Sequence, residues 1–356
     1  MKKTVWTVLC TLCLLLCLAL PVLGAEPAPH VTEETTLAEL RANPAIQGTG
    51  YYTYCREMTP LMIERWKSKP LRDYFGDTDR EPGIGALNLI IDNYNKGVKV
   101  TYQVYTEEEI AANSSLGCVQ LYYYPSDKPN AKTAIIVPGN ALTITSEMGE
   151  GGSTAYELHE MGYAVFVLRY RTFLDLGDNA PLKDLARAVQ LVTSLGAELD
   201  IQTEDYALVG YSSGGQLAGV FANKEYGYGR YNAAKPGVLF LAYAVVDFSE
   251  VKLAYSLVMD TGDCAWHYYW PSVAQMVTDD YPPVYFWYGR NDQTLPWMIN
   301  KAQGPVLQKA LDAHGVTYVM RVFNNAPHSI GTGIGTDAEG WLTEAVSFWE
   351  QQTAQG

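Results

Sequence analysis

The chain has 356 residues and a formal charge of −14, with 25 basic against 39 acidic side chains. An acidic surface argues against nucleic acid and anionic membranes as partners and reads most simply as a device for solubility. Three cysteines lie outside the amino-terminal apolar run, Cys55, Cys118 and Cys264. Their wide spacing matches no metal motif and leaves open either one bridge plus a free thiol or three buried thiols.

Met1 to Ala25 places Lys2 and Lys3 before an apolar run from Val5 to Leu20 and small residues at Gly24 and Ala25, the composition of a secretory signal peptide. Cys10, Cys13 and Cys17 each follow leucine, which argues against a lipoprotein. Pro21 and the small residues favour cleavage, and an uncleaved anchor is the alternative that the run's length leaves open. Without Lys2 and Lys3 the charge becomes −16, from 23 bases and 39 acids. The expected location is therefore extracellular, with no stable membrane association after cleavage. About 330 residues remain, which suits one large α/β domain with an extension better than two small domains.

Residues 26–97 form an amino-terminal extension with no recognisable chemistry. Pro27 and Pro29 suggest a loose start, Leu61 to Tyr74 is a helical candidate, and Trp66 and Phe75 are available for docking. Residues 98–356 read as the catalytic domain. Val98 to Tyr105 and Gly117 to Tyr124 are aromatic and β-branched, and read as two opening strands joined by the acidic stretch Glu107 to Ala112.

From Thr133 the pattern alternates. Ala134 to Val137, Tyr163 to Leu168, Tyr206 to Val209, Val238 to Val245, Val284 to Tyr288 and Tyr318 to Phe323 are apolar runs too short for helices. Between and after them lie helical candidates at Thr154 to Met161, Leu182 to Leu195, Gly215 to Asn223, Val306 to Ala313 and Gly340 to Gln351. Such alternation predicts an α/β fold, a mostly parallel central sheet with helices on both faces. Phe248 to Tyr281 breaks the rhythm and concentrates Trp266, His267, Tyr268, Tyr269 and Trp270; it either lines the ligand crevice or packs as an aromatic loop.

The chemistry centres on Gly210-Tyr211-Ser212-Ser213-Gly214, which sits between a strand pattern and a helix pattern. A G-x-S-x-G segment there predicts a sharp elbow that lifts the serine hydroxyl above the sheet edge. A serine needs a base to take its proton, and the base needs a carboxylate to fix its tautomer. His328, in the turn-rich loop after the last strand, is the candidate base; His30, His159, His267 and His314 lie in less suitable settings. Asp292, in the loop after the preceding strand, is the candidate acid, with Asp247 in reserve. No cofactor or metal is required.

On these residues, together with Ile135 to Gly139, Glu150-Gly151 with Ala155, Gly162 to Arg171 and Pro181 to Ala188 with Asp184, the chain resembles the α/β-hydrolase superfamily over about residues 100–352. Within that superfamily it resembles the small esterases and lipases, among them bacterial acetyl-esterase and acetylxylan-esterase-like proteins. The resemblance implies a secreted serine esterase acting on short-acyl esters, acetyl above all, with a small-molecule or carbohydrate alcohol. It also implies an oxyanion hole built from the N–H of Ser213 and a second N–H from Asn140 or Ala141, which stand where relatives often carry glycines. Tyr211, Trp266 and Trp270 are the expected substrate contacts. A peptidase or amidase with the same triad, and a catalytically weak binding protein on a hydrolase fold, are the alternatives.

Overall fold

The computed structural model describes residues 26–51, 64–139, 145–172, 177–247, 250, 271–298 and 302–354. The apolar leader, Cys55, Cys264, Asn140, Ala141 and the aromatic run Trp266 to Trp270 lie outside the described residues.

Eight strands make one sheet: β1 (Thr101–Gln103), β2 (Gln120–Tyr124), β3 (Ala131–Val137), β4 (Ala164–Arg169), β5 (Ile201–Tyr211), β6 (Val238–Ala242), β7 (Val284–Gly289) and β8 (Tyr318–Phe323). Their spatial order is β1-β2-β4-β3-β5-β6-β7-β8. β1 pairs β2, and β2 pairs β4, in antiparallel fashion; every pair from β4 to β8 is parallel. The side-chain period of two sends Ile135 and Val137 into one apolar layer and Ala134 and Ile136 into the other. Burial on both faces explains why these strands read as continuous apolar runs rather than alternating ones.

The helices that matter for the site are α1 (Leu37–Ala42), α2 (Pro44–Thr49), α3 (Leu71–Phe75), α4 (Arg80–Asn95), α5 (Glu107–Ala112), α6 (Ser153–Glu160), α7 (Ala180–Leu195), α8 (Ser212–Phe221), α9 (Val273–Met276), α10 (Thr294–Met298), α11 (Gln303–Ala313) and α12 (Trp341–Thr353). On one face, Leu185, Val189 and Val192 of α7, Leu217 and Phe221 of α8, and Leu307 and Leu311 of α11 cover the sheet. On the other, Ala155 and Leu158 of α6 and Trp341, Leu342, Ala345 and Trp349 of α12 do so.

The amino-terminal segment joins that second layer. Leu37, Leu40, Ile46, Leu71 and Phe75, with Ala86, Leu87, Ile90 and Ile91 of α4, share one buried apolar cluster with the strand residues Ile136, Val165 and Val167. The expected loose start is tied down. Asn95 accepts the N–H of Ala28 at 2.8 Å and donates to its carbonyl at 3.0 Å, and Asn88 holds Val31 in the same way at 2.8 and 3.1 Å.

Three local differences from the sequence reading have simple causes. The acidic link Glu107 to Ala112 is a helix, because Thr106 caps the N–H of Glu109 while the Glu109 carboxylate returns to the N–H of Thr106. The candidate helix over 61–74 is broken within its described part: residues 64–66 are helical, the chain then turns, and the short α3 starts afresh after Pro70, which interrupts any longer run. The sixth strand stops at Ala242 rather than Val245, because Tyr243 adopts φ +39° and turns the chain back so that the N–H of Val245 reaches the carbonyl of Ser212 at 3.1 Å.

Candidate active site

β5 ends at Tyr211 and α8 begins at Ser212 with no intervening loop. Ser212 accordingly carries φ +49°, a left-handed conformation that costs a non-glycine residue of order 1–3 kcal/mol. The flanking glycines make the turn feasible. A Cβ on Gly210 would stand 2.6 Å from the Cα of Gly215, and one on Gly214 would collide with the carbonyl oxygens of Val137 and Pro138. β3 and the elbow therefore touch backbone to backbone.

The loops after β7 and β8 bring their side chains to this elbow. Ser212 Oγ lies 2.9 Å from His328 Nε2, and His328 Nδ1 lies 2.8 Å from Asp292 Oδ2. The other carboxylate oxygen, Asp292 Oδ1, accepts the N–H groups of Thr294 and Leu295 at 2.8 and 3.1 Å, so the start of α10 locks the carboxylate orientation. All three side chains are nearly shielded from solvent. Asp247, the reserve acid, is held elsewhere: its Oδ1 accepts the hydroxyl of Ser272, and its N–H reaches Gln303.

The loop carrying His328 is pinned at several points. Asp337 accepts the N–H groups of Asn324 and Asn325, the first at 2.6 Å. Further on, Asp79 of the amino-terminal segment accepts both the N–H and the hydroxyl of Thr332 at 3.0 Å.

Two residues without a role in the sequence reading complete the arrangement. Glu150 is buried, its Oε2 accepting the N–H of Gly139 at 2.8 Å and its Oε1 accepting the Tyr243 hydroxyl at 2.9 Å. Tyr243 OH in turn accepts the N–H of Gly331 at 3.1 Å, and its ring lies against His328. Burial pushes the Glu150 carboxyl upward, opposed by the Gly139 N–H, the Tyr243 hydroxyl and the nearby His328. Burial also raises Asp79 to about 7, opposed by Thr332 and reinforced by the negative charge of Glu150. Glu150 was visible in the sequence as part of Glu150-Gly151, but its spacing from the serine gave no hint of proximity.

Tyr211 is a correction. It was expected to contact substrate, yet its ring is fully buried against Tyr243 and Trp341 and its hydroxyl meets Thr154 at 2.5 Å. As the last residue of β5 it sends its side chain into the second apolar layer. Ser213 occupies the second position of α8 and is buried. The other expected oxyanion donors, Asn140 and Ala141, and the expected contacts Trp266 and Trp270 lie outside the described residues. Among the described residues no group of histidine, cysteine and carboxylate side chains could hold a metal, and no helix is long and apolar enough to cross a membrane.

Comparison with known proteins agrees with this architecture. Residues 119–252 match the BD-FAE family model. The chain is 27% identical over 153 residues to an acetylxylan esterase of Xylanibacter ruminicola, covering 42% of this chain and 30% of that protein. It is 22% identical over 270 residues to endo-1,4-beta-xylanase B of Butyrivibrio fibrisolvens, covering 71% of this chain and 41% of the relative. The match thus spans well under half of either curated relative. Among solved structures, an acetyl ester-xyloside bifunctional hydrolase from Caldicellulosiruptor lactoaceticus superposes with a TM-score of 0.57 at 20% identity, over 70% of this chain and 95% of that one. Sheet order, the sharp strand-to-helix elbow and these structural likenesses, which extend to an α/β-hydrolase enzyme from a deep-sea metagenome library (TM-score 0.52 at 18% identity, over 66% of this chain and 92% of that one), show that the chain has the α/β-hydrolase fold.

Proposed function

We propose that the protein is a serine hydrolase that cleaves carboxylic esters through an acyl-enzyme on Ser212. The observation that carries this reading is the continuous hydrogen-bonded line Ser212–His328–Asp292, with contacts of 2.9 and 2.8 Å, set on a strained elbow. His328 Nε2 takes the serine proton as Oγ bonds to the carbonyl carbon, and Asp292 holds Nδ1 protonated so that Nε2 is the free acceptor. The tetrahedral intermediate collapses with cleavage of the bond between carbonyl carbon and alcohol oxygen, and the Nε2 proton passes to the departing alcohol. Water then repeats the sequence on the acyl-serine. Ser213 N–H supplies one oxyanion donor in this scheme, and the segment holding Asn140 and Ala141 supplies the other.

The likeness to an acetylxylan esterase and to an acetyl ester-xyloside hydrolase favours an ester over an amide, and a short acyl group such as acetyl. The leader composition favours an exported enzyme. The deciding experiment labels the full chain with a fluorophosphonate and maps the adduct. Labelling at Ser212, lost in Ser212→Ala with the fold retained, is expected together with a fall in turnover of about a thousandfold or more. Labelling that persists on another serine overturns the assignment.

A further inference from the structure

Glu150 takes no part in the proton transfers of the proposed reaction, yet it holds the neighbours of both groups that exchange the proton. It belongs to the helical turn Glu147–Gly152, which runs straight into α6, and its side chain is buried. Among the described residues no lysine or arginine pairs with it, and two hydrogen-bond donors meet its oxygens instead. Without them a buried carboxylate would be severely penalised.

Each donor leads to one end of the Ser212–His328 contact. Gly139 N–H, 2.8 Å from Oε2, belongs to the residue that lies directly against the elbow: a Cβ there would stand 2.6 Å from the carbonyl oxygen of Tyr211 and 2.8 Å from the Cβ of Ser212. The carbonyl of Gly139 accepts the N–H of Ser146 at 3.2 Å, so both polar groups of this residue are committed. The second donor is the Tyr243 hydroxyl, 2.9 Å from Oε1. Its oxygen accepts the N–H of Gly331, three residues after His328, and the Tyr243 ring lies 4.8 Å from the imidazole.

We propose that Glu150 is a positioning residue of the reaction: its two hydrogen bonds hold the Ser212 hydroxyl and the His328 imidazole at one fixed separation. The proposal rests on the ester-hydrolase reading and adds a residue to it. Backbone strain supports it. Ser212, Tyr243 and Ser329 carry φ of +49°, +39° and +59°, and such conformations persist only where the surroundings hold them. Glu150 bonds to Tyr243 directly, reaches Ser212 through Gly139 and reaches the turn of Ser329 through Gly331. A corollary is that Gly139 N–H, already taken by Glu150, is not an oxyanion donor.

The test uses the full chain and 4-nitrophenyl acetate, with kcat counted per Ser212 that a fluorophosphonate labels at completion, so that misfolded protein does not enter. Glu150→Ala removes both bonds and is expected to lower kcat about a hundredfold, the order of effect of a 1 Å misplacement, while KM stays within about threefold. Glu150→Gln is the rescue. Its amide oxygen can accept Gly139 N–H and its NH2 can donate to the Tyr243 oxygen, so kcat should return to within about tenfold of wild type. A residue that only supports the fold would lower the labelled fraction and leave kcat per labelled site unchanged. Should Glu150→Ala fail to fold, Tyr243→Phe cuts the histidine arm alone and is expected to lose about tenfold in kcat. An unchanged kcat in the variant that folds, or a Glu150→Gln no better than Glu150→Ala, overturns the proposal. Failure of the underlying reading looks different: wild type turns over no ester and Ser212 takes no label.

Discussion

The ring of Tyr243 lies 4.8 Å from the imidazole of His328, tilted by 57°, while its hydroxyl is engaged on both sides, donating to Glu150 Oε1 and accepting from Gly331 N–H. One side chain thus couples the loop after β3, the chain after β6 and the histidine loop. Glu150 extends the coupling to Gly139, so the backbone beneath Ser212 and the imidazole of His328 are referenced to the same buried carboxylate.

Tyr243→Phe isolates that hydroxyl. The ring still supports the imidazole, but a buried N–H on Gly331 and a buried carboxylate oxygen on Glu150 lose their partner. Such a loss is expected to cost about 1–3 kcal/mol of stability, read as a shift in the urea midpoint at unchanged m-value. Any accompanying loss of activity should appear in kcat rather than KM. A midpoint within error of wild type would show that the two groups find other partners.

Asp292→Asn is expected to lose about a thousandfold or more in kcat. Oδ1 is committed to two backbone donors, so an asparagine keeps its oxygen there and turns its amide toward His328 Nδ1. That forces the ring proton onto Nε2, the wrong tautomer for taking a proton from serine. Asp247→Asn should leave kcat within about tenfold, and the reverse result would exchange the two assignments. Activity should also fall on acidification, because an imidazolium cannot accept the serine proton.

Asp79→Asn changes the pH dependence of stability. With its folded value at about 7 against an ordinary 3.8, this carboxyl holds its proton in the native state where the unfolded chain has released it. The unfolded state then binds fewer protons, so stability falls as pH rises from about 4 to about 7 and levels off above. Glu157, raised to about 7 by burial, and Glu150, raised in the same direction, add to the slope. Removing the Asp79 titration should flatten the wild-type decline, measured as the unfolding midpoint at pH 5 and pH 8. An equal decline in both proteins would mean that Asp79 ionises freely in the folded state.

The sheet and the elbow were legible because burial on two faces writes continuous apolar runs and because a left-handed serine demands glycine neighbours. The line from Ser212 through His328 to Asp292 followed from placing each residue just after a strand. The amino-terminal layer was not legible, and α4 shows why. Its sequence carries Pro82, Gly83 and Gly85, poor helix formers, yet a Cβ at Gly83 would strike the Phe75 ring and one at Gly85 would come within 2.6 Å of Tyr156. The glycines are recesses for aromatic rings, a tertiary demand that overrides local propensity. Glu150, Tyr243 and Asp79 escaped notice for a related reason: each meets the site only through contacts between distant segments, which leave no spacing in the chain. The Thr106 capping box, by contrast, was written in the sequence and simply competes with the strand pattern around it.

The bond between Asp79 and Thr332 spans 253 positions of sequence. Closing a loop of that length is slow, and synthesis delivers the two partners at opposite ends of the process. Until residue 328 has been made, Ser212, the proposed nucleophile, lacks the imidazole that its hydroxyl meets in the finished fold. The histidine loop is held in the finished fold both by its own Asp337 and by Asp79 of the segment made first. In the proposed reaction, chemical competence therefore waits for the last part of the chain, and a nascent chain that stops short of His328 carries an inert hydroxyl rather than an unrestrained nucleophile.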